Sequence, residues 1–414
     1  MLRLAVIGLG NRAAGIVGVM REVAPEVRLV AVADPDRSQV EQRLKEIGVE
    51  ADGVRDYADA ETLLEGADDY DGVLIGTRCH LHTAMACKVA ATDLPLYLEK
   101  PVAITEAQLV QLAAAYRGRE QRVQVSFPLR ATPLFTAAKE IVAQGRLGTL
   151  NQVQAINNVP YGGVYFGGWY RNYDEVGGLW FQKATHDFDY INRLLGVRPL
   201  MVAATTSQTI YGGDKPHDLR CSACDEAETC SESAKNQEAR GDNGGMAQGS
   251  AADPLDTDHW CPFSEAIRNQ DAGSALVQYE GGVHAAYTQN FVTRRSAAKR
   301  GAIITGHLGS LEFDWFTEKI RVVDHHRDRV DEICVKASTG HAGGDHVLAS
   351  GFVGMMQGDG PPIADLHDGL LSVTMCLAAR QSAFTRTFEA VIPPGENGGG
   401  SPAEATEIPV GTSR

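Results

Sequence analysis

Gly8-Leu9-Gly10-Asn11-Arg12-Ala13 follows an apolar run and precedes a helical pattern. This spacing suits a dinucleotide pyrophosphate: the first glycine permits a tight turn, the second lets backbone approach the phosphates, and the small third residue lets helix pack on strand. The helix then turns its free N–H groups and positive dipole end toward the anion, with Asn11 and Arg12 beside it. Asp34 ends the next apolar run. A carboxylate there accepts from the ribose hydroxyls and repels a 2′-phosphate, so NAD is expected over NADP, with nearby Arg37 softening that choice. A second constellation is Cys221-x2-Cys224-x5-Cys230, followed after thirty residues by Cys261. Four thiolates converging from such loops make a closed tetrahedral set, which predicts a structural zinc. An all-cysteine site is preferred over one borrowing His259 or His217. Reduced thiols in a loose loop, or disulfides, are the alternatives.

These residues need positioning elements. Up to about residue 125, short apolar runs (Leu4–Gly8, Arg28–Ala33, Asp71–Thr77, Leu94–Leu98, Arg122–Ser126) alternate with helical patterns (Arg12–Ala24, Ser38–Ile47, His82–Ala91, Thr105–Tyr116). That alternation predicts an α/β fold with a doubly wound parallel sheet over residues 1–125. Beyond Phe127 come a helix at Pro133–Gln144 and longer alternating strands. They lie at Asn151–Asn158, Leu200–Gln208, Gly273–Glu280, Val283–Phe291, Ala302–Thr305, Ser310–Asp314 and Lys319–Val323, with helices at Thr185–Leu195 and Asp365–Phe384. Residues 126–392 therefore read as an α+β domain with a mostly antiparallel sheet. Residues 231–256 are expected to be a loosely ordered insertion and 393–414 a disordered tail. The less apolar sheet face, carrying Val153, Ala155, Ala285 and Tyr287, is expected to seek a partner copy.

Further motifs carry a resemblance. Gly76-Thr77-x4-His82 follows one strand, Glu99-Lys100-Pro101 follows the next, and Gly177-Gly178-Leu179-Trp180-Phe181-Gln182-Lys183-Ala184-Thr185-His186-Asp187-Phe188-Asp189 opens a helix. Together they resemble the Gfo/Idh/MocA oxidoreductases, over about residues 1–390. The resemblance implies a Rossmann domain binding NAD(P) and a second domain, built on a large open sheet, that supplies the substrate pocket and the dimer or tetramer contacts. It implies that Lys100 lies by the nicotinamide and bonds the reacting hydroxyl or carbonyl. Glu99 would hold Lys100 or the nicotinamide ribose, and Pro101 would follow a cis bond. Thr77 and His82 would run under the nicotinamide, and His186 would accept the proton. Many relatives carry an acid where this chain has Gln182, so acid–base work is expected to rest on Lys100 and His186, with Lys183 also facing the pocket. Trp169 and Arg171 offer a ring face and a guanidinium to a sugar, or else are core plus surface charge. In His341-Ala342-Gly343-Gly344-Asp345, a substrate role is set against Asp345 serving as a helix N-cap.

The chain's 414 residues carry 38 Lys+Arg against 53 Asp+Glu, a net charge of −15. So acidic a protein is a poor partner for nucleic acid or anionic membrane, and no apolar run is long enough to span a bilayer. The N-terminus lacks a signal-peptide pattern, which makes a cytoplasmic location the expectation. The expected function is hydride transfer between a secondary alcohol of a sugar, glycoside or cyclitol and nicotinamide. One rival is glycoside cleavage by oxidation and elimination with recycled, tightly bound NAD. Another is a non-catalytic protein that binds NAD or sugar.

Overall fold

A computed structural model describes residues 1–239, 258–336 and 341–395. The first half is strand-forming wherever Val, Leu, Ile and Ala run together. β1 (Leu2–Ile7), β2 (Val27–Ala33), β3 (Arg55–Tyr57), β4 (Gly72–Ile75), β5 (Leu96–Leu98) and β6 (Val123–Val125) make one parallel sheet in the order β3-β2-β1-β4-β5-β6. β4, β5 and β6 are buried along their whole length, as strands covered on both faces must be. The order reverses between β1 and β4, which opens a crevice at their carboxyl ends. β3 gives no signal in the sequence because Arg55-Asp56-Tyr57 is a short, polar edge strand.

Two glycines let the crevice loops touch. Gly8 has φ +82°, and a Cβ on it would lie 2.8 Å from the Thr77 backbone. A Cβ on Gly76 would lie 2.5 Å from the Ala13 methyl, so the small residue at position 13 is matched by a glycine across the crevice.

The second sheet comprises β7 (Leu150–Asn158), β8 (Pro199–Ser207), β9 (Ala272–Tyr279), β10 (His284–Asn290), β11 (Lys299–Gly306), β12 (Gly309–Asp314), β13 (Lys319–Asp324), β14 (Val330–Cys334) and β15 (Glu389–Ala390). Its order is β14-β13-β12-β11-β7-β10-β9-β8-β15, antiparallel except where β10 runs parallel to β7. The helix Thr185–Leu195 packs on its inner face, with Phe188 against Tyr287 and Tyr190 against Phe313.

This packing corrects one expectation. Val153, Ala155, Ala285 and Tyr287 are not on an open face; they are buried in the chain's own core. Strand alternation fixes that alternate residues share a face but not which face is covered. The outward face carries Ser274, Leu276, Gln278, His284 and Thr288 instead.

The chain then returns to the first sheet. The helix Gly344–Gln357 places Leu348, Phe352, Val353 and Met356 in one core with Ala13, Ile16, Val17 and Met20. The helix Leu366–Thr385 is capped by a reciprocal Asp365–Asp368 box, and its Gly369 abuts Val102 and Val125. Arg130, 7 % exposed, ties these layers together. It donates from Nε to Asp189 at 2.9 Å and from Nη1 to Asp368 at 2.6 Å.

Most of the insertion expected at 231–256 lies outside the described residues, as do residues 396–414 of the expected tail. The described part of the insertion is built in: Glu232 pairs with Arg294 at 2.9 Å, and Ala234–Ala239 is helical. Among the described residues, no helix is long and apolar enough to cross a membrane.

Candidate active site

The loops after β1, β2, β4, β5 and β6 meet the helix starts of the second half around a cleft of about 460 Å³. At one end, Gly8, Gly10, Asn11 and Arg12 line it. Gly10 caps the helix Asn11–Val23 with extended backbone and no side-chain bond to the leading N–H groups, which leaves them open to an anion. Asp34 lies beside them. Its carboxylate accepts from Leu9 N–H at 2.8 Å and Asp36 N–H at 2.9 Å, which fixes its direction at the cleft wall. A close-approach glycine, an open helix start and a fixed carboxylate fit a dinucleotide. Arg37 is not in the cleft lining: it is 70 % exposed and pairs with Asp56 at 2.8 Å, whereas Arg43 does line the cleft.

Arg12 lines the cleft and is also tied into the protein by ion pairs. Its guanidinium donates to both Asp345 oxygens at 2.8 and 2.7 Å, to Glu99 Oε1 at 3.0 Å and to Ser126 Oγ at 3.2 Å. Glu99 therefore binds Arg12, and it also accepts from Ser126 at 2.9 Å; it does not hold Lys100. Asp345 is not an N-cap, since Gly343 occupies that place. Its carboxylate accepts from Arg12 and meets His341 Nδ1 at 2.8 Å. Despite its burial, the neighbouring Arg12 and His341 hold it well below the usual carboxylate range. His82 is a strut between loops, with Nδ1 2.8 Å from Pro101 O and Nε2 3.0 Å from Thr77 O. The Lys100–Pro101 peptide is cis.

The other end of the cleft is assembled from both halves. Trp180–Ala184 forms a π-helical turn running directly into the helix Thr185–Leu195. Such turns add a residue to the helix and re-aim side chains, and they recur at functional sites. Gln182, Lys183 and His186 all line the cleft. Lys100 Nζ donates to the Gln182 carbonyl at 3.1 Å. Burial, with Lys183 nearby, pushes the Lys100 amine down to about 8. The Gln182 amide turns away, to Cys79 Sγ at 3.3 Å and Val176 O at 3.4 Å. Lys183 Nζ donates to Tyr161 Oη at 2.6 Å. Burial, then the Lys100 and Arg300 charges, holds His186 well below the usual histidine range, so the imidazole is neutral. Its Nδ1 is buried with no hydrogen-bond partner among the described residues. Neighbouring Asp187 is saturated by Arg300 (2.9 and 2.7 Å), Asn157 (2.7 Å) and Tyr287 (2.7 Å).

One wall is aromatic. Trp169 stacks on Tyr170 at 3.9 Å and under the Arg78 guanidinium at 3.8 Å, and Tyr165 completes the lining. Arg171 is not in this wall; it lies toward Trp260, 5.9 Å from the ring centroid. The sequence reading missed Arg78, Cys79, Ser126, Tyr161 and Tyr165. The positions of Cys79 and Ser126, each just beyond a strand's carboxyl end, were the available signal. Tyr161 and Tyr165 had none beyond their nearness to Trp169.

The zinc expectation finds no support. Among the described residues, no group of three or more His, Cys, Asp or Glu is placed to hold a metal. Cys221 Sγ lies 3.5 Å from His259 Nε2, and all four cysteines are free thiols. Backbone and ring contacts hold the loop instead. Cys261 N–H donates to Leu219 O at 2.8 Å, Cys221 N–H to His259 O at 3.1 Å, and Arg220 lies 3.8 Å over Trp260.

Comparison with known proteins agrees with this geometry. Residues 2–127 match the GFO/IDH/MocA oxidoreductase family with its NAD-binding Rossmann fold, and residues 135–312 match the GFO/IDH/MocA C-terminal domain. YteT of Bacillus subtilis, named as an oxidoreductase, is 28% identical over 67% of this chain and 71% of its own length. Inositol 2-dehydrogenase 2 of Saccharopolyspora erythraea is 29% identical over 38% of this chain and 45% of that protein, so the match spans under half of that relative. Among solved structures, a levoglucosan dehydrogenase in complex with NADH and levoglucosan superposes with TM-score 0.72 at 16% identity. The superposition covers 94% of this chain and 99% of that one. An oxidoreductase structure from Thermotoga maritima gives TM-score 0.68 at 18% identity, over 94% and 100%. These structural likenesses speak for the fold.

Proposed function

This chain is an NAD-binding oxidoreductase of the Gfo/Idh/MocA family, and from that premise we propose that it transfers hydride between a secondary alcohol of a sugar, glycoside or cyclitol and the nicotinamide. The observation that carries the reading is the meeting of Lys100 and His186 on the cleft wall, one from each half of the chain. NAD, when bound, supplies the hydride acceptor. The glycine loop and the open start of the helix Asn11–Val23 receive its phosphates, and Asp34 receives the adenosine ribose. At the reacting end, Lys100 takes the hydroxyl proton and becomes the ammonium that stabilises negative charge developing on oxygen. Neutral His186 accepts a hydrogen bond from the same hydroxyl or its neighbour and orients the ring. The faces of Trp169 and Tyr170 cover the C–H side of the sugar and exclude water.

The direct test is NADH formation by the purified protein across sugars, glycosides and cyclitols. Saturating NAD with no turnover anywhere in that panel sets the reading aside. Glycoside cleavage without added NAD would favour the oxidation–elimination route.

Cofactor choice gives a separate prediction. Asp34→Ser should raise the KM for NAD at least about tenfold, the value of one charge-assisted bond to a ribose hydroxyl, and improve NADP relative to NAD. Steady-state kinetics with both cofactors checks this; a wild-type protein that already favours NADP would contradict the role of Asp34.

A further inference from the structure

The reacting end of the cleft carries an unbalanced charge. Two lysine side chains, Lys100 and Lys183, line it. Lys183 is only 6 % exposed. Among the described residues its hydrogen-bond partner is the Tyr161 hydroxyl, at 2.6 Å. An ammonium has three donors, and this partner is formally uncharged. Lys100 is likewise met by a neutral group, the Gln182 carbonyl at 3.1 Å. Position 182, next to Lys183 in sequence, is itself a neutral side chain whose amide points to Cys79 and Val176.

Among the described residues, the carboxylates nearest the two lysines are already committed elsewhere. Glu99 is taken by Arg12 and Ser126. Asp345 is taken by Arg12 and His341. Asp187 is taken by Arg300, Asn157 and Tyr287. The cofactor's pyrophosphate does not relieve the imbalance, because its cradle is the glycine loop at the other end of the cleft. Burying a cation without a counter-ion is costly. That cost shows in Lys183, whose amine burial holds below the usual lysine range, and a carboxylate on the ligand would relieve it by supplying the counter-ion.

We infer that the sugar or cyclitol bound here carries a carboxylate, as a uronic or aldonic acid does, and that Lys183 Nζ, aimed by the Tyr161 hydroxyl, receives it. This rests on the dehydrogenase reading of the same cleft. Lys183 sets which substrate is accepted, while Lys100 and His186 act at the reacting carbon. Lysine binds a carboxylate as a point charge on a flexible four-carbon stem, and the bond to Tyr161 limits that freedom, so one orientation of the acid is selected.

The test is isothermal titration of the NADH-bound protein with D-glucuronate, D-galacturonate and D-gluconate against D-glucose, D-galactose and myo-inositol. At least one acid is expected to bind about tenfold or more tighter than the neutral sugar of the same configuration. Lys183→Met and Lys183→Gln should each reduce that preference to within about twofold, and Tyr161→Phe should keep part of it. Added salt should weaken the acid and leave the neutral sugars unchanged. Equal or weaker binding of every acid by the wild-type protein overturns the inference, as does undiminished preference in a folded Lys183 variant. The wild-type comparison is decisive even if neither variant folds. A protein that reduces NAD with neutral sugars or cyclitols and shows no acid preference keeps the dehydrogenase reading and loses this one.

Discussion

Lys100→Met is expected to lower kcat at least about a hundredfold, the usual loss on removing a positioned acid–base group, while NAD affinity stays close to wild type. The separation follows from geometry. Lys100 reaches across to the Gln182 carbonyl at 3.1 Å, away from the glycine loop and Asp34 to which the rest of the cofactor is assigned under the proposed function. A pH profile sharpens the result. Burial pushes Lys100 down to about 8, and a base must shed its proton before it can take one from the alcohol. Oxidation should therefore accelerate as pH rises through about 8 and then level off, and this limb should be missing in the variant. His186 is held neutral well below that range, so it cannot generate the same limb. Near-wild-type turnover in Lys100→Met, or an unchanged limb, would remove Lys100 from the proton path.

Arg12→Met should lower the unfolding free energy by about 3–5 kcal/mol, the usual cost of deleting one partner of a buried ion pair. Glu99 and Asp345 are 6 % and 4 % exposed, and both accept from this guanidinium. Losing it strands two carboxylates where burial opposes their charge. The sign with pH follows. Asp345 is held well below its ordinary value by Arg12, so its stabilisation is in place above the unfolded pKa of about 4. It is lost as pH falls through the lower folded value. In the variant Asp345 takes up a proton more readily, so the deficit should be largest near neutral pH and shrink on acidification. Adding Asp345→Asn should recover part of the loss. Urea midpoints at two pH values read this out, and a change below about 1 kcal/mol would show that the network is solvated. Because the pair joins the cofactor loop to the helix Gly344–Gln357, NAD affinity should fall alongside.

The sequence by itself determined whatever depends on near neighbours. Apolar runs and their periods placed β1, β2, β4 to β13 and the helix Thr185–Leu195 within a few residues, because burial on one or two faces imposes those periods locally. It identified the glycine loop and Asp34, whose spacing is set by a single turn, and the resemblance drew attention to Lys100, Gln182, Lys183 and His186, which the fold gathers at one cleft. Tertiary structure alone decided how distant charges pair. Arg12 pairs with Asp345 and Glu99, and Arg37 pairs with Asp56. A guanidinium's partner depends on which carboxylate the fold brings within about 3 Å, and neither composition nor spacing records that distance. Which face of the second sheet is covered was equally hidden, because alternation is the same whether Tyr287 points inward or outward. The cysteine spacing was compatible with a zinc clip, yet it carried no information on whether four sulfurs converge. In the folded loop Cys221 meets His259, and no group of three such ligands forms among the described residues, since ligand geometry is set by backbone paths that neighbouring contacts, not the cysteines, fix here.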